Sequence, residues 1–128
     1  MLVTAAVIWK DSRVLLARRP AGKRMAGCWE FPGGKLEPRE TPAEGLKREL
    51  KEELGIDAVV GAELCRVSHE YDFGRVELIA LEVFSFEGEL KAAEHDELAW
   101  AAPKELDTYK LAPADLPIAR LLRERPAP

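Results

Sequence analysis

Long apolar runs are missing from this sequence. None approaches the roughly 20 residues that a membrane-spanning helix needs, so no membrane partner is expected. The apolar opening, Met1 to Lys10, has neither a basic leading segment nor a small-residue cleavage site. No signal peptide is read there, and a cytoplasmic address is the expectation. Cysteine is scarce: Cys28 and Cys65 stand far apart, without a C-x-x-C pair or companion histidines. That excludes a disulfide framework and a structural zinc site, and leaves two buried or half-buried thiols. A basic surplus is also lacking, with 19 Lys and Arg against 23 Asp and Glu and a net charge of -4. No basic stripe is available to grip polymeric nucleic acid. A small anion remains a suitable partner, because a local basic pocket and bound metal ions outweigh a modest global charge. Repeats, low-complexity tracts and linkers are absent too. What remains is an ordinary globular balance over 128 residues, read as one domain spanning 1–128.

Short aliphatic and β-branched runs at Val3–Trp9 and Val14–Ala17 flank the polar stretch Lys10-Asp11-Ser12-Arg13 and predict a hairpin. Residues 18–28 are basic and irregular, so a loop is expected, followed by a short strand at Trp29-Glu30-Phe31 and a turn at Pro32-Gly33-Gly34. Thr41 to Leu54 is the clearest helix. Thr41 and Glu44 form a capping box, Pro42 takes the first helical position, and Gly55 supplies the stop. Longer strands are expected at Ala58–Tyr71 and Val76–Phe86, joined near residues 72–75. An acidic loop covers 91–97, then a short strand Leu98–Trp100, a helical turn at Pro103–Leu106 and an amphipathic helix within Ala114–Arg123, regular after Pro117. The class is α/β or α+β, with a mixed sheet between helices.

Leu46, Leu50 and Leu54 recur every four residues and form the apolar stripe of the Thr41–Leu54 helix. At about 100° per residue, Glu49, Glu52 and Glu53 fall together on a face roughly a third of a turn away. Like charges at these spacings cost a few tenths of a kcal/mol per pair. None of the three has a Lys or Arg four residues further on, and Arg48 stands four before Glu52 in the weaker orientation. A solvated charged face would explain an isolated E-x-x-E-E. Here the Gly33-Gly34 turn aims unobstructed backbone groups at the same region, as a site for a hard divalent cation requires.

The segment Gly34 to Ile56 fits the pattern G-x5-E-x7-R-E-U-x-E-E-x-G-U, with U aliphatic, at every specified position. A chance match at one start point is roughly one in a billion. This is the Nudix box, and the chain is identified as a member of that superfamily. Trp29 to Lys35, the loop with Glu94, Trp100 and the tail Leu111 to Pro117 resemble the MutT branch, which includes 8-oxo-dGTP diphosphatases and CTP pyrophosphohydrolases. The resemblance implies hydrolysis of a nucleoside triphosphate to a monophosphate and pyrophosphate by water attack at the β-phosphorus. It implies Mg²⁺, with Mn²⁺ as a substitute. It makes Glu49, Glu52, Glu53 and the Gly33 carbonyl metal ligands, with Glu53 nearest the attacking water. Arg48 would orient the glutamates, Glu40 would support the loop–helix junction, and Glu94 would be a further ligand or general base. His69 and His95 are assigned no catalytic role.

Arg19, Lys35 and Arg75 are expected substrate contacts, and Phe31, Arg19 and Asp115 match the base pocket of the branch. At the Asp115 position the 8-oxo-guanine-selective pattern has Asn. An ionised Asp only accepts, which suits the exocyclic amine of cytosine; a protonated one donates, which suits guanine O6. The sequence therefore leans to a pyrimidine-tolerant enzyme, with 8-oxo-dGTP still a substrate. Hydrolysis of ADP-ribose or a dinucleoside polyphosphate is a competing reading, and a non-catalytic recognition module is another. Monomer and homodimer both remain open.

Overall fold

The computed structural model describes residues 1–125. Strands β1 (Leu2–Lys10) and β2 (Arg13–Arg18) form the expected hairpin, closed by Asp11 and Ser12 at positive φ. Then come β3 (Trp29–Glu30), β4 (Gly33–Lys35), helix α1 (Pro42–Leu54), the long strands β5 (Asp57–Tyr71) and β6 (Gly74–Glu87), and β7 (Glu97–Ala101). Two 3-10 turns, Pro103–Thr108 and Pro113–Asp115, lead into helix α2 (Leu116–Glu124). Pro117 lies in the first turn of α2, so the regular part begins one residue before it, with Leu116. No helix among the described residues is long and apolar enough to cross a membrane.

The sheet order is β3-β2-β1-β6-β5, with β4 on β1 and β7 on β2. The β1–β6 pairing is parallel and runs from Leu2 opposite Glu77 to Ile8 opposite Val83. The other pairings are antiparallel, so the sheet is mixed, as expected. Alternation along β1 divides the core in two. Ala5, Val7 and Trp9 face the side covered by α2, with Leu16, Phe31, Ile118 and Leu122. Ala6 and Ile8 face α1, packing with Leu15, Leu46, Leu50 and Leu54.

Helix α1 begins and ends on local signals. Thr41 Oγ1 accepts from the Glu44 N–H at 3.2 Å, and the Glu44 carboxylate accepts from the Thr41 N–H at 2.9 Å. Gly55 then takes a left-handed φ of 72° and returns its N–H to the Lys51 carbonyl.

Residues 33–35 correct the expectation of a turn: they form a strand on β1, with Ala5 opposite Gly33 and Thr4 opposite Gly34. Glycine has little strand preference of its own, and the long partner strand supplies the pairing. The Ala6 N–H donates to the Pro32 carbonyl at 2.7 Å and the Leu36 N–H to the Leu2 carbonyl at 3.1 Å. Alternate residues of an antiparallel strand bond to the same neighbour, so the backbone groups of Gly33 and Lys35 point away from β1, toward α1.

Close packing fixes both glycines. A Cβ on Gly33 would overlap the Thr4 carbonyl, which is backbone, whereas one on Gly34 would overlap the Glu49 carboxylate, the free end of a side chain. Gly33→Ala is expected to lower stability by about 1–3 kcal/mol in urea unfolding, and Gly34→Ala by clearly less. Equal losses would show that the β1–β4 contact does not set the cost.

Candidate active site

The acidic face of α1 meets β4 at Arg48. Its Nε and Nη2 donate to the two Glu40 oxygens at 2.7 and 2.9 Å. Nη1 donates to Glu49 Oε1 at 2.9 Å and to Glu52 Oε2 at 3.3 Å, and Nη2 also reaches the Lys35 carbonyl at 3.0 Å. This guanidinium, with the Glu37 N–H, holds the Glu40 carboxyl down at about 2. The three box glutamates differ in depth. The Glu52 side chain is 57% exposed, Glu49 is 15% exposed with its carboxylate over Gly34, and Glu53 is buried.

Glu53 is the unusual group. Burial, together with the charges of Glu49, Glu30 and Glu94, pushes its carboxyl up to about 8, opposed by the Gly33 N–H. Its Oε1 is buried without a hydrogen-bond partner. Burial likewise raises Glu49, against the pull of Arg48. An orphaned carboxylate oxygen beside other carboxylates and the outward backbone of Gly33 fits a hard divalent cation. Among the described residues no three His, Cys, Asp or Glu side chains already surround one point. Arg48 holds the Glu49 and Glu52 carboxylates by hydrogen bonds, and Glu49 is also the largest acidic influence on Glu53.

A cleft of about 290 Å³ opens beside Glu53 and brings Gly33, Lys35, Arg19, Phe31 and Asp115 to the same walls. Asp115 is buried, and its Oδ1 accepts from the Phe31 N–H at 3.4 Å. Burial, then the charge of Glu30, drive its carboxyl well above the usual range, against the Phe31 N–H and Arg19. This shift acts toward the protonated carboxyl, and so weighs against the argument for cytosine that assumed an ionised one. The Tyr71 hydroxyl accepts from the Ala114 N–H at 2.8 Å and steadies the turn that carries Asp115.

A smaller chamber of about 60 Å³ adjoins Glu53 as well, lined also by Glu94, Arg19 and Lys23. Glu94 is exposed and reaches this chamber from the loop before β7.

Arg75 is the departure. It is absent from the walls of the cleft; its Nε donates to Ser68 Oγ at 2.8 Å, along the hairpin of β5 and β6. Arg24 lines the cleft instead, its guanidinium 4.0 Å above the Phe73 ring, which stacks on Tyr71. Sequence reasoning also passed over Glu30, which lines both cavities and bonds Arg19 at 3.0 Å. A carboxylate set between Trp29 and Phe31 in a short strand was the available signal.

These shifts have a sign. Between pH 4.5 and about 8 the folded chain keeps a proton on Glu53 that the unfolded chain has released. Stability contributed by that proton is complete below 4.5 and is lost as pH rises through 8; Asp115 acts in the same direction. In EDTA the urea midpoint should fall from about pH 5 to pH 8, by at most ~1.4 kcal/mol per pH unit for each group. Glu53→Gln should flatten the slope and be the more stable protein at pH 8. A wild-type slope that persists unchanged in Glu53→Gln would remove the assignment.

Comparison with known proteins agrees with this geometry. The NUDIX domain family matches residues 4–121. The chain is 47% identical to the CTP pyrophosphohydrolase of Escherichia coli over 116 residues, covering 91% of this chain and 86% of that protein. It is 43% identical to the 8-oxo-dGTP diphosphatase of Proteus vulgaris, over 69% of this chain and 80% of that one. The crystal structure of a MutT NUDIX hydrolase from Burkholderia pseudomallei superposes with a TM-score of 0.82 at 32% identity, covering 92% of this chain and 93% of that chain. With the complete box on α1, the buried Glu53 and the adjoining cleft, these matches establish that the chain belongs to the Nudix family of hydrolases.

Proposed function

We propose that this chain hydrolyses nucleoside triphosphates to monophosphate and pyrophosphate by water attack at the β-phosphorus, with Mg²⁺ as its ion and Mn²⁺ as a substitute, and that it clears cytosine and 8-oxo-guanine nucleotides from the pool. One observation carries the reading: a single cleft has Glu53 and Gly33 at one wall and Phe31, Asp115 and Arg19 at another. Its volume of about 290 Å³ is at the small end of ligand sites, enough for a base and sugar with the phosphates reaching outward. The names of the relatives support the substrate classes.

Glu49, Glu52, Glu53 and the Gly33 carbonyl would hold the ion, which when bound neutralises phosphate oxygens and acidifies a water. Glu53, closest to the interior, receives the proton of the attacking water or orients it. Glu94 faces the same chamber and serves as a further ligand or base. Arg48 keeps Glu49 and Glu52 from repelling each other. Lys35 and Arg19 meet phosphate or base, and Phe31 packs along the base.

Asp115 offers a proton-dependent choice of base. Protonated, it donates to a guanine-type carbonyl; ionised, it accepts from the cytosine amine. Glu30, Arg19 and Tyr71 are the titratable and charged groups that face it. This supports a dual substrate range better than a pyrimidine preference.

Pyrophosphate release should cease in EDTA and return with Mg²⁺ or Mn²⁺. Glu53→Gln should lower turnover on the order of a thousand-fold or more without loss of fold, and Glu94→Gln should cost less. Full hydrolysis after exhaustive chelation would overturn the reading, and near-full activity in Glu53→Gln with loss in Glu94→Gln would exchange the two roles.

Asp115→Asn should lower kcat/KM for CTP roughly ten- to a hundred-fold and spare 8-oxo-dGTP, because its amide presents a donor to the cytosine amine. In the wild type, the ratio of 8-oxo-dGTP to CTP activity should fall as pH rises, a ratio in which the titration of Glu53 cancels. Equal losses on both nucleotides would mean that Asp115 supports the wall without reading the base.

A further inference from the structure

The chamber shared by Glu53 and Glu94 contains a buried side chain with no part in the reading above. His95 is buried, with its side chain 4% exposed. Its Nε2–H donates to Glu30 Oε2 at 2.8 Å, while its Nδ1 is buried without a partner. A buried ring nitrogen without a partner is a cost to the fold that an apolar side chain of similar size would avoid. The bond to Glu30 is what the imidazole supplies in return. Glu30 uses its other oxygen to take Arg19 Nη1 at 3.0 Å, and Arg19 lines both the chamber and the cleft.

The loop around His95 is fastened on both sides of Glu94. Before it, the Lys91 N–H donates to the Leu54 carbonyl at 2.9 Å and the Ala93 N–H to the Glu53 carbonyl at 3.1 Å. After it, the Asp96 N–H donates to the Arg18 carbonyl at 3.2 Å, and the Asp96 carboxylate accepts from Arg18 Nε at 2.7 Å. The Arg18–Asp96 contact is largely solvent-exposed, so it restrains the loop weakly. The His95–Glu30 contact is the buried anchor on that side. It adjoins Glu94 directly and faces the chamber into which Glu94 projects.

We propose that His95 is a positioning residue for Glu94: through Glu30 it fixes the loop so that the Glu94 carboxylate stays opposite Glu53, and it ties that placement to Arg19 at the nucleotide end. The inference rests on the proposed hydrolase reading, in which Glu94 is a ligand or base. Misplacement of a reacting group by about 1 Å costs on the order of a hundred-fold in rate, so a loose loop would be felt in turnover more than in binding. Gln is the conservative replacement, since its amide carries an N–H close to where Nε2 stands; Ala removes the anchor.

The test measures kcat and KM for CTP and 8-oxo-dGTP with Mg²⁺ in the wild type, His95→Ala, His95→Gln, Glu94→Gln and the double variant His95→Ala/Glu94→Gln. Amide hydrogen exchange over residues 91–96 is measured in the same proteins without metal. We expect His95→Ala to lower kcat about ten-fold or more with KM changed less than about three-fold, and His95→Gln to recover most of it. The double variant should be no worse than Glu94→Gln, because residues that act through one group are not additive. Exchange at Ala93 to Asp96 should quicken about ten-fold in His95→Ala while the amides of α1 are unchanged. Multiplying losses in the double variant, a loss confined to KM, or unaltered loop exchange in both His95 variants would overturn the proposal. Should His95→Ala fail to fold, the comparison of His95→Gln with Glu30→Gln, which removes the acceptor charge from the other partner, carries the same expectations. Absence of pyrophosphate release by the wild type would instead defeat the hydrolase reading, and the exchange measurement would still report on the anchor.

Discussion

One guanidinium balances the acidic face of α1. Arg48 bonds Glu40, Glu49 and Glu52 and reaches the Lys35 carbonyl, joining the preceding loop, the helix and β4 in one network. Its four partners are all acceptors, and it reaches them from one fixed planar array of donors; an ammonium has no such fork. The network leaves Glu53 out. That carboxylate faces the interior, where burial and its acidic neighbours leave it short of positive charge. The site is therefore built as a satisfied outer shell and an unsatisfied inner group.

How much of this was legible depended on whether the signal was local. Helix α1 was fully readable, because capping box, leucine stripe and Gly55 all lie within the segment they organise. The β1–β2 hairpin was readable for the same reason. Strand β4 was not: Gly33-Gly34 reads as a turn until β1 is placed beside it, and the pairing belongs to residues about thirty positions away. The long strands β5 and β6 were found, but the parallel contact of β6 with β1 is invisible to periodicity.

The same distinction runs through the site. Glu49, Glu52 and Glu53 were visible as a helical face, but their unequal depths were not, since depth depends on which neighbours cover the helix. Glu30 was read only as part of a short strand and His95 was assigned no catalytic role; each acquires meaning from the other, more than sixty residues distant. Arg75, an expected substrate contact, lies outside the walls of the cleft, with its Nε on Ser68 Oγ across the hairpin of β5 and β6. Asp115 lines the cleft with Phe31 and Arg19, and the upward shift of its carboxyl follows from complete burial, which the sequence does not display.

The parallel contact between β1 and β6 also sets an order on how the molecule comes into being. Leu2 meets Glu77 and Ile8 meets Val83, so β1 is partnered by a strand about 75 residues later. Loop closure over such distances must precede any reward from the pairing, which slows folding relative to a fold built from neighbours. Until β6 exists, β1 is an apolar strand with one edge open, and α1 has only part of the surface its leucines will bury. During synthesis the glutamate helix and its glycine strand thus emerge early, while the sheet that fixes their geometry waits for residues beyond 80. A segment of this kind, complete in motif but without its central partner, is the point at which the nascent chain is most exposed to mispairing.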